Sequence, residues 1–174
     1  MKLAAHLCER RDDEVLKGDD TFVRNLSKWG FGRVQVNATA VNGVDTSVFE
    51  SNPQGVIQNF LAVVDQNPDL EFILQKNAET RPLWEGVLRH TIEKGKAFPS
   101  NVSMLLDESK GTGVLPNEWP PIPPETPYRV GYAGGIGPQH VSERQRPSLC
   151  GPHIIKRKNR SLIISRVRIV DCRL

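Results

Sequence analysis

Apolar residues along the first 141 positions follow two alternating patterns: short runs suited to strands, and stripes at three-to-four spacing suited to helices. Leu3 to Cys8 reads as a short strand. Asp19-Asp20-Thr21 then offers a helix cap before Phe22, Val23, Leu26 and Trp29, and Gly30 and Gly32 end that helix. Arg33 to Asn37 sets Val34 and Val36 on one face and Gln35 on the other, a strand pattern. Pro53 suits a first helical turn, followed by a stripe of Val56, Ile57, Phe60, Leu61 and Val64. Leu70 to Leu74 is the next strand. It precedes a helix from about Glu79 to Lys94 whose expected buried face is Leu83, Trp84, Val87, Leu88 and Ile92, with Gly95 at its exit.

Val102 to Leu106 is apolar except for Ser103, as expected of a parallel strand covered on both faces. Six prolines between Pro116 and Pro127 exclude an ordinary helix there, so an extended loop leads to a strand at Tyr128 to Ala133. Serial alternation of this kind predicts an α/β fold built on a parallel sheet. After Val141 the pattern degrades, and only Ser161 to Val170 alternates enough to form a β segment. The expected division is a domain over 1–141 and a tail over 142–174.

Charge sharpens that boundary. The tail carries 9 Lys/Arg against 2 acids, about +7, whereas residues 1–141 carry 14 against 18, about −4. A basic tail attracts anions, but no nucleic-acid signature accompanies it, and no specific nucleic-acid partner is expected. Cys8, Cys150 and Cys172 are too widely spaced for a disulfide framework or a paired zinc motif, and the four histidines share no ligand spacing. The expectation is a cytoplasmic, reducing setting with no metal or cofactor, no signal peptide and no membrane span.

Candidate chemistry gathers late in the domain. Asp107 closes an apolar strand at the end where parallel α/β proteins build active sites, and a carboxyl there can donate a proton to a ring oxygen. The competing reading is an Asx turn or helix cap. Gly111 and Gly113 flank Thr112, whose hydroxyl and N–H suit a substrate contact, although surface turns use the same residues. Gly134, Gly135, Ile136 and Gly137 follow a strand and precede Pro138, so their N–H groups could cradle a phosphate; a purely structural turn is the alternative. Trp29 and Trp84 read as core, with ligand stacking the alternative, Trp119 as a loop anchor or substrate contact, and Arg33, Asn37 and Lys76 as solvated rim positions near strand ends, with contact to a substrate carboxylate or phosphate the alternative.

The run Leu105-Leu106-Asp107-Glu108-Ser109-Lys110-Gly111-Thr112-Gly113, then Trp119, then Ala133-Gly134-Gly135-Ile136-Gly137-Pro138-Gln139-His140-Val141, resembles the later half of phosphoribosylanthranilate isomerase. Val34-Gln35-Val36-Asn37 is similar to that family's Val-Gln-Leu-His strand, and the resemblance covers roughly residues 30 to 141. It implies a TIM-barrel-like (β/α) sheet and an Amadori rearrangement of a phosphoribosyl aminobenzoate in tryptophan biosynthesis, without cofactor. Asp107 takes the place of the general acid, and Ala133 to Val141 that of a phosphate-binding motif.

Two stretches depart from the family. Its first strand, Lys-Ile-Cys-Gly, supplies a cysteine base; here Leu7-Cys8-Glu9 lacks the glycine, so Cys8 is either that base, a residue of the second strand, or an ordinary buried cysteine. The closing Ser-Ser-Gly phosphate loop has no counterpart after Val141. The length of 174 residues is also short of the roughly 250 of a full barrel. An incomplete barrel is therefore expected, from a truncated or misjoined gene product, and the alternative function is a non-catalytic phosphosugar-binding fragment or interaction scaffold. Such a fragment would expose Leu3 to Cys8 and Tyr128 to Ala133 as sheet edges prone to self-association, unless Ser161 to Val170 covers one of them.

Overall fold

In the computed structural model, residues 3–107, 122–123, 125–134 and 169–171 are described. The chain begins with strand β1 (Leu3–His6), followed by helices α1 (Arg10–Leu16) and α2 (Val23–Lys28) and strand β2 (Phe31–Val36). A short helix α3 (Val48–Ser51) leads to α4 (Pro53–Gln66), β3 (Glu71–Lys76), α5 (Arg81–Glu93) and β4 (Val102–Leu106). Strands β5 (Arg129–Tyr132) and β6 (Ile169–Asp171) complete the described elements.

Local chemistry fixes the helix ends. The Asn52 side chain accepts the Gly55 N–H at 3.1 Å, and Pro53 occupies the first turn of α4. Ahead of α5, Asn77 N donates to Thr80 Oγ1 at 3.2 Å, Thr80 N donates to Asn77 Oδ1 at 3.0 Å, and Thr80 Oγ1 donates to Gln75 O at 2.7 Å. That lattice locks the turn leaving β3. Gly95, at φ +61°, closes α5 in the conformation that glycine adopts without strain.

All five strand pairings are parallel, in the order β5-β4-β3-β2-β1-β6. From β1 to β5 the chain steps across the sheet without reversing, and right-handed crossovers in a sheet wound one way place their helices on one face. Burial agrees with that. Ala5, Val34, Val36, Phe72, Leu74, Val102 and Met104 share one apolar core with Val15, Leu26, Ile57, Phe60, Val64, Leu83 and Val87 of the helices. Phe60 meets Phe72 edge-on, their ring centroids 6.1 Å apart.

The opposite parity is of different character. The register aligns Ala4 and His6 with Arg33 and Gln35, and these with Glu71 and Ile73, then Ser103 and Arg129; Gln75 pairs with Leu105. Toward the amino ends, Arg33 Nε donates to Glu71 Oε2 at 3.0 Å while Arg129 Nη2 stands 3.2 Å from Glu71 Oε1. Arg33 thus belongs to an ion cluster at the end away from Asp107, not to a rim position.

Other expectations need correction. Strand β1 stops at His6, so Cys8 lies two residues beyond its end, and Gly32 lies inside β2 rather than ending a helix. Trp29 is 57% exposed, resting edge-on against Phe22, and Ile92 is 70% exposed. Lys76 packs its ammonium 4.3 Å from the Trp84 ring centroid and donates to the Tyr128 hydroxyl at 3.1 Å. It is a packing residue. Finally, β1 is not an edge: Ala4, Ala5 and His6 pair with Ile169, Val170 and Asp171, and among the described residues β5 and β6 are the ends of the sheet.

Candidate active site

Because every strand runs the same way, all their carboxyl ends open on one edge of the sheet. Pairing persists just past the strands: Leu7 N donates to Gln35 O at 3.0 Å, Asp107 N to Lys76 O at 3.4 Å and Ala133 N to Leu106 O at 2.8 Å. These bonds hold Cys8, Asn37, Asn77, Asp107 and Gly134 at consecutive strand ends.

Asp107 is 8% exposed, and its Oδ2 accepts from Gln75 Nε2 at 3.2 Å. On the neighbouring strands, Cys8 Sγ lies 3.5 Å from His6 Nδ1, and His6 Nε2 lies 2.8 Å from Asn37 Nδ2. Cys8 is 3% exposed and His6 half-buried. Behind Asn37, its backbone N–H donates to Asp12 Oδ1 at 3.0 Å from the first turn of α1. Asp12 is fully buried, and desolvation pushes its carboxyl up to about 8.

Unmet hydrogen-bonding capacity concentrates at this edge. Among the described residues, Gln75 Oε1, Asn37 Oδ1, Asn77 Nδ2 and Asp12 Oδ2 are buried without a partner. Buried polar atoms normally find one, so two amide oxygens and one amide N–H in this state at the strand ends suit a ligand rich in hydroxyls, which both donate and accept. Gly134, at φ +102°, takes a backbone conformation that side-chain-bearing residues rarely adopt. Gly111, Thr112, Gly113, Gly135, Ile136 and Gly137 lie outside the described residues, as do Trp119 and the domain boundary at 141.

His6, Gln75, Asn77 and Asp12 join the site although no motif in the sequence marks them. Glu9 adds a different signal. It has φ +50° and ψ −129°, and it is the only non-glycine with positive φ among the described residues. That backbone is costly for a residue with a Cβ. Glu9→Gly is therefore expected to stabilise the fold by about 1 kcal/mol, read as a higher urea midpoint with unchanged slope. An unchanged or lower midpoint would show that the Glu9 side chain compensates for the strain.

Among the described residues no group of three or more His, Cys, Asp or Glu side chains could hold a metal ion, and no helix is long and apolar enough to cross a membrane. The fold and site define a parallel α/β protein with flanking helices and a buried polar cluster at the carboxyl ends of its strands. No protein-family model, curated protein or solved structure matches the chain.

Proposed function

We propose that the chain is a phosphosugar isomerase of the phosphoribosylanthranilate isomerase type, built on a barrel-like arc of (β/α) units. The observation that carries this reading is Asp107: a buried carboxyl ending β4, bonded to Gln75, among amides with unmet hydrogen-bonding capacity. Two features support the kinship. The order from β1 to β5, which steps across the sheet without reversal, is that of a barrel wall, and Glu9 holds a glycine-favouring backbone where the family's first strand has glycine after cysteine.

In this reading the phosphate rests near Gly134, and Asp107 protonates the ribose ring oxygen as the C1–O bond opens and the nitrogen lone pair forms a Schiff base. A base then removes the C2 proton, and the resulting enolamine tautomerises to the ketone. Cys8 is the nearest described counterpart of that base. Its burial favours a second reading, in which the site binds a phosphosugar without turning it over.

Purified chain supplied with phosphoribosyl anthranilate is expected to remove the substrate's fluorescence faster than a buffer control. Calorimetric titration with ribose 5-phosphate separates the two readings. Binding without turnover supports the second, and neither binding nor turnover sinks both.

A further inference from the structure

We infer that Cys8, His6 and Asn37 form a thiol–imidazole–amide array in which His6 holds the proton of Cys8 and leaves the sulfur ionised. The two ring nitrogens of His6 face different partners: Nδ1 the sulfur at 3.5 Å, Nε2 the Asn37 amide at 2.8 Å. An amide's oxygen and nitrogen exchange places by a half-turn. In either placement one atom of the Asn37 amide bonds the ring and the other is buried without a partner, in a residue only 5% exposed. With Oδ1 on the ring, that acceptor receives the Nε2 proton, and Nδ1 turns its lone pair toward Cys8 Sγ.

The proton transfer is then self-contained. The S–H bond breaks with its electron pair staying on sulfur, an N–H bond forms at Nδ1, and a thiolate beside an imidazolium results. A base oriented by a third group is the general arrangement that activates a nucleophile. Here the β1–β2 pairing sets it, because His6 is level with Gln35 and Asn37 lies two residues further on the same face. Asp12 of α1, bonded to the Asn37 backbone, keeps its proton through neutral pH and adds no charge beside the ring, and the backbone of Asp171 on β6 is in register with that of His6. Gln35, across from His6 on β2, is neutral.

The use of the array rests on the isomerase reading; its existence does not. In that reaction the thiolate would accept the C2 proton, and His6 and Asn37 would be positioning residues that touch no substrate.

The test is the ultraviolet thiolate absorbance of the full chain against pH. Subtracting the same titration of Cys8→Ser isolates Cys8 from Cys150 and Cys172. The expected result is an ionised Cys8 at neutral pH whose thiolate population falls roughly ten-fold or more in His6→Gln. Identical titrations in the two proteins would overturn the array. Should His6→Gln not fold, the ring nitrogen resonances of His6 in the unsubstituted chain decide: an imidazolium beside an ionised Cys8 supports the array, and a neutral ring overturns it. Absence of turnover with this titration intact removes only the isomerase reading. Turnover without the coupling removes only the array.

Discussion

Asp12→Asn is expected to make the protein more stable at mildly alkaline pH while leaving it nearly unchanged in acid. The folded chain raises the Asp12 carboxyl from 3.8 to about 8, because burial removes its water while one oxygen receives only the Asn37 N–H. Between those limits the native state keeps a proton that the unfolded chain releases. The associated stability is fully present below about pH 4 and is lost as pH rises through about 8. A difference of about four units at 1.36 kcal/mol each places the full effect on the order of 5 kcal/mol. Asn keeps the acceptor for Asn37 N–H and carries no charge, so the advantage of the variant should grow steadily across that window.

The difference between the two proteins is the proper readout, because other groups titrate in both. The bond from Arg24 holds the Asp20 carboxyl below its ordinary value, for example, and that contribution is lost as pH falls. Urea midpoints measured from about pH 4 to about pH 8 would check the prediction. Parallel curves for the two proteins would mean that Asp12 finds a partner or water that relieves its burial.

Asp107→Asn should reduce isomerase turnover roughly 100-fold or more, since an amide cannot protonate the ring oxygen. The fold should survive. Asn is nearly isosteric, and its oxygen can accept the Gln75 Nε2 proton that Asp107 Oδ2 accepts now. Substrate affinity should therefore change little while kcat collapses. A variant that turns over at the original rate would exclude Asp107 as the acid, and one that loses binding with turnover would make it a substrate anchor.

The elements most legible in the sequence were those buried by apolar residues throughout. Val102–Leu106 matches its expected bounds because all five residues are buried, and the stripe of α4 is continuous from Val56 to Val64. Helix α1 was invisible for the opposite reason. Its first five residues are Arg10, Arg11, Asp12, Asp13 and Glu14, and it buries one of those acids where an apolar side chain would have completed the stripe. Exposed Trp29 and Ile92 show the converse error, in which a large apolar residue at helical spacing was taken as buried.

In the site, Asp107 stood out because it ends an apolar run. Gln75 and His6 did not, and Asn37 read as a rim position, because a two-residue alternation marks two faces without saying what covers the polar one. Gln35 and Asn37 are 8% and 5% exposed, so their face is enclosed rather than bathed in solvent. The parity of Val34 and Val36 was readable; the enclosure of the residues between them depends on contacts distant in the sequence.

The partnership of β1 with β6 also has a temporal consequence. Ala4 pairs with Ile169, so on the ribosome the first strand emerges long before its outer neighbour exists. At about 5–20 residues per second, that interval is roughly ten to thirty seconds. Throughout it, β1 can be flanked only by β2, and its outer backbone groups face water or a chaperone. His6 belongs to that strand, and Cys8 follows it directly. The strand that leads to Cys8 is therefore among the earliest parts made and among the last to be paired on both sides.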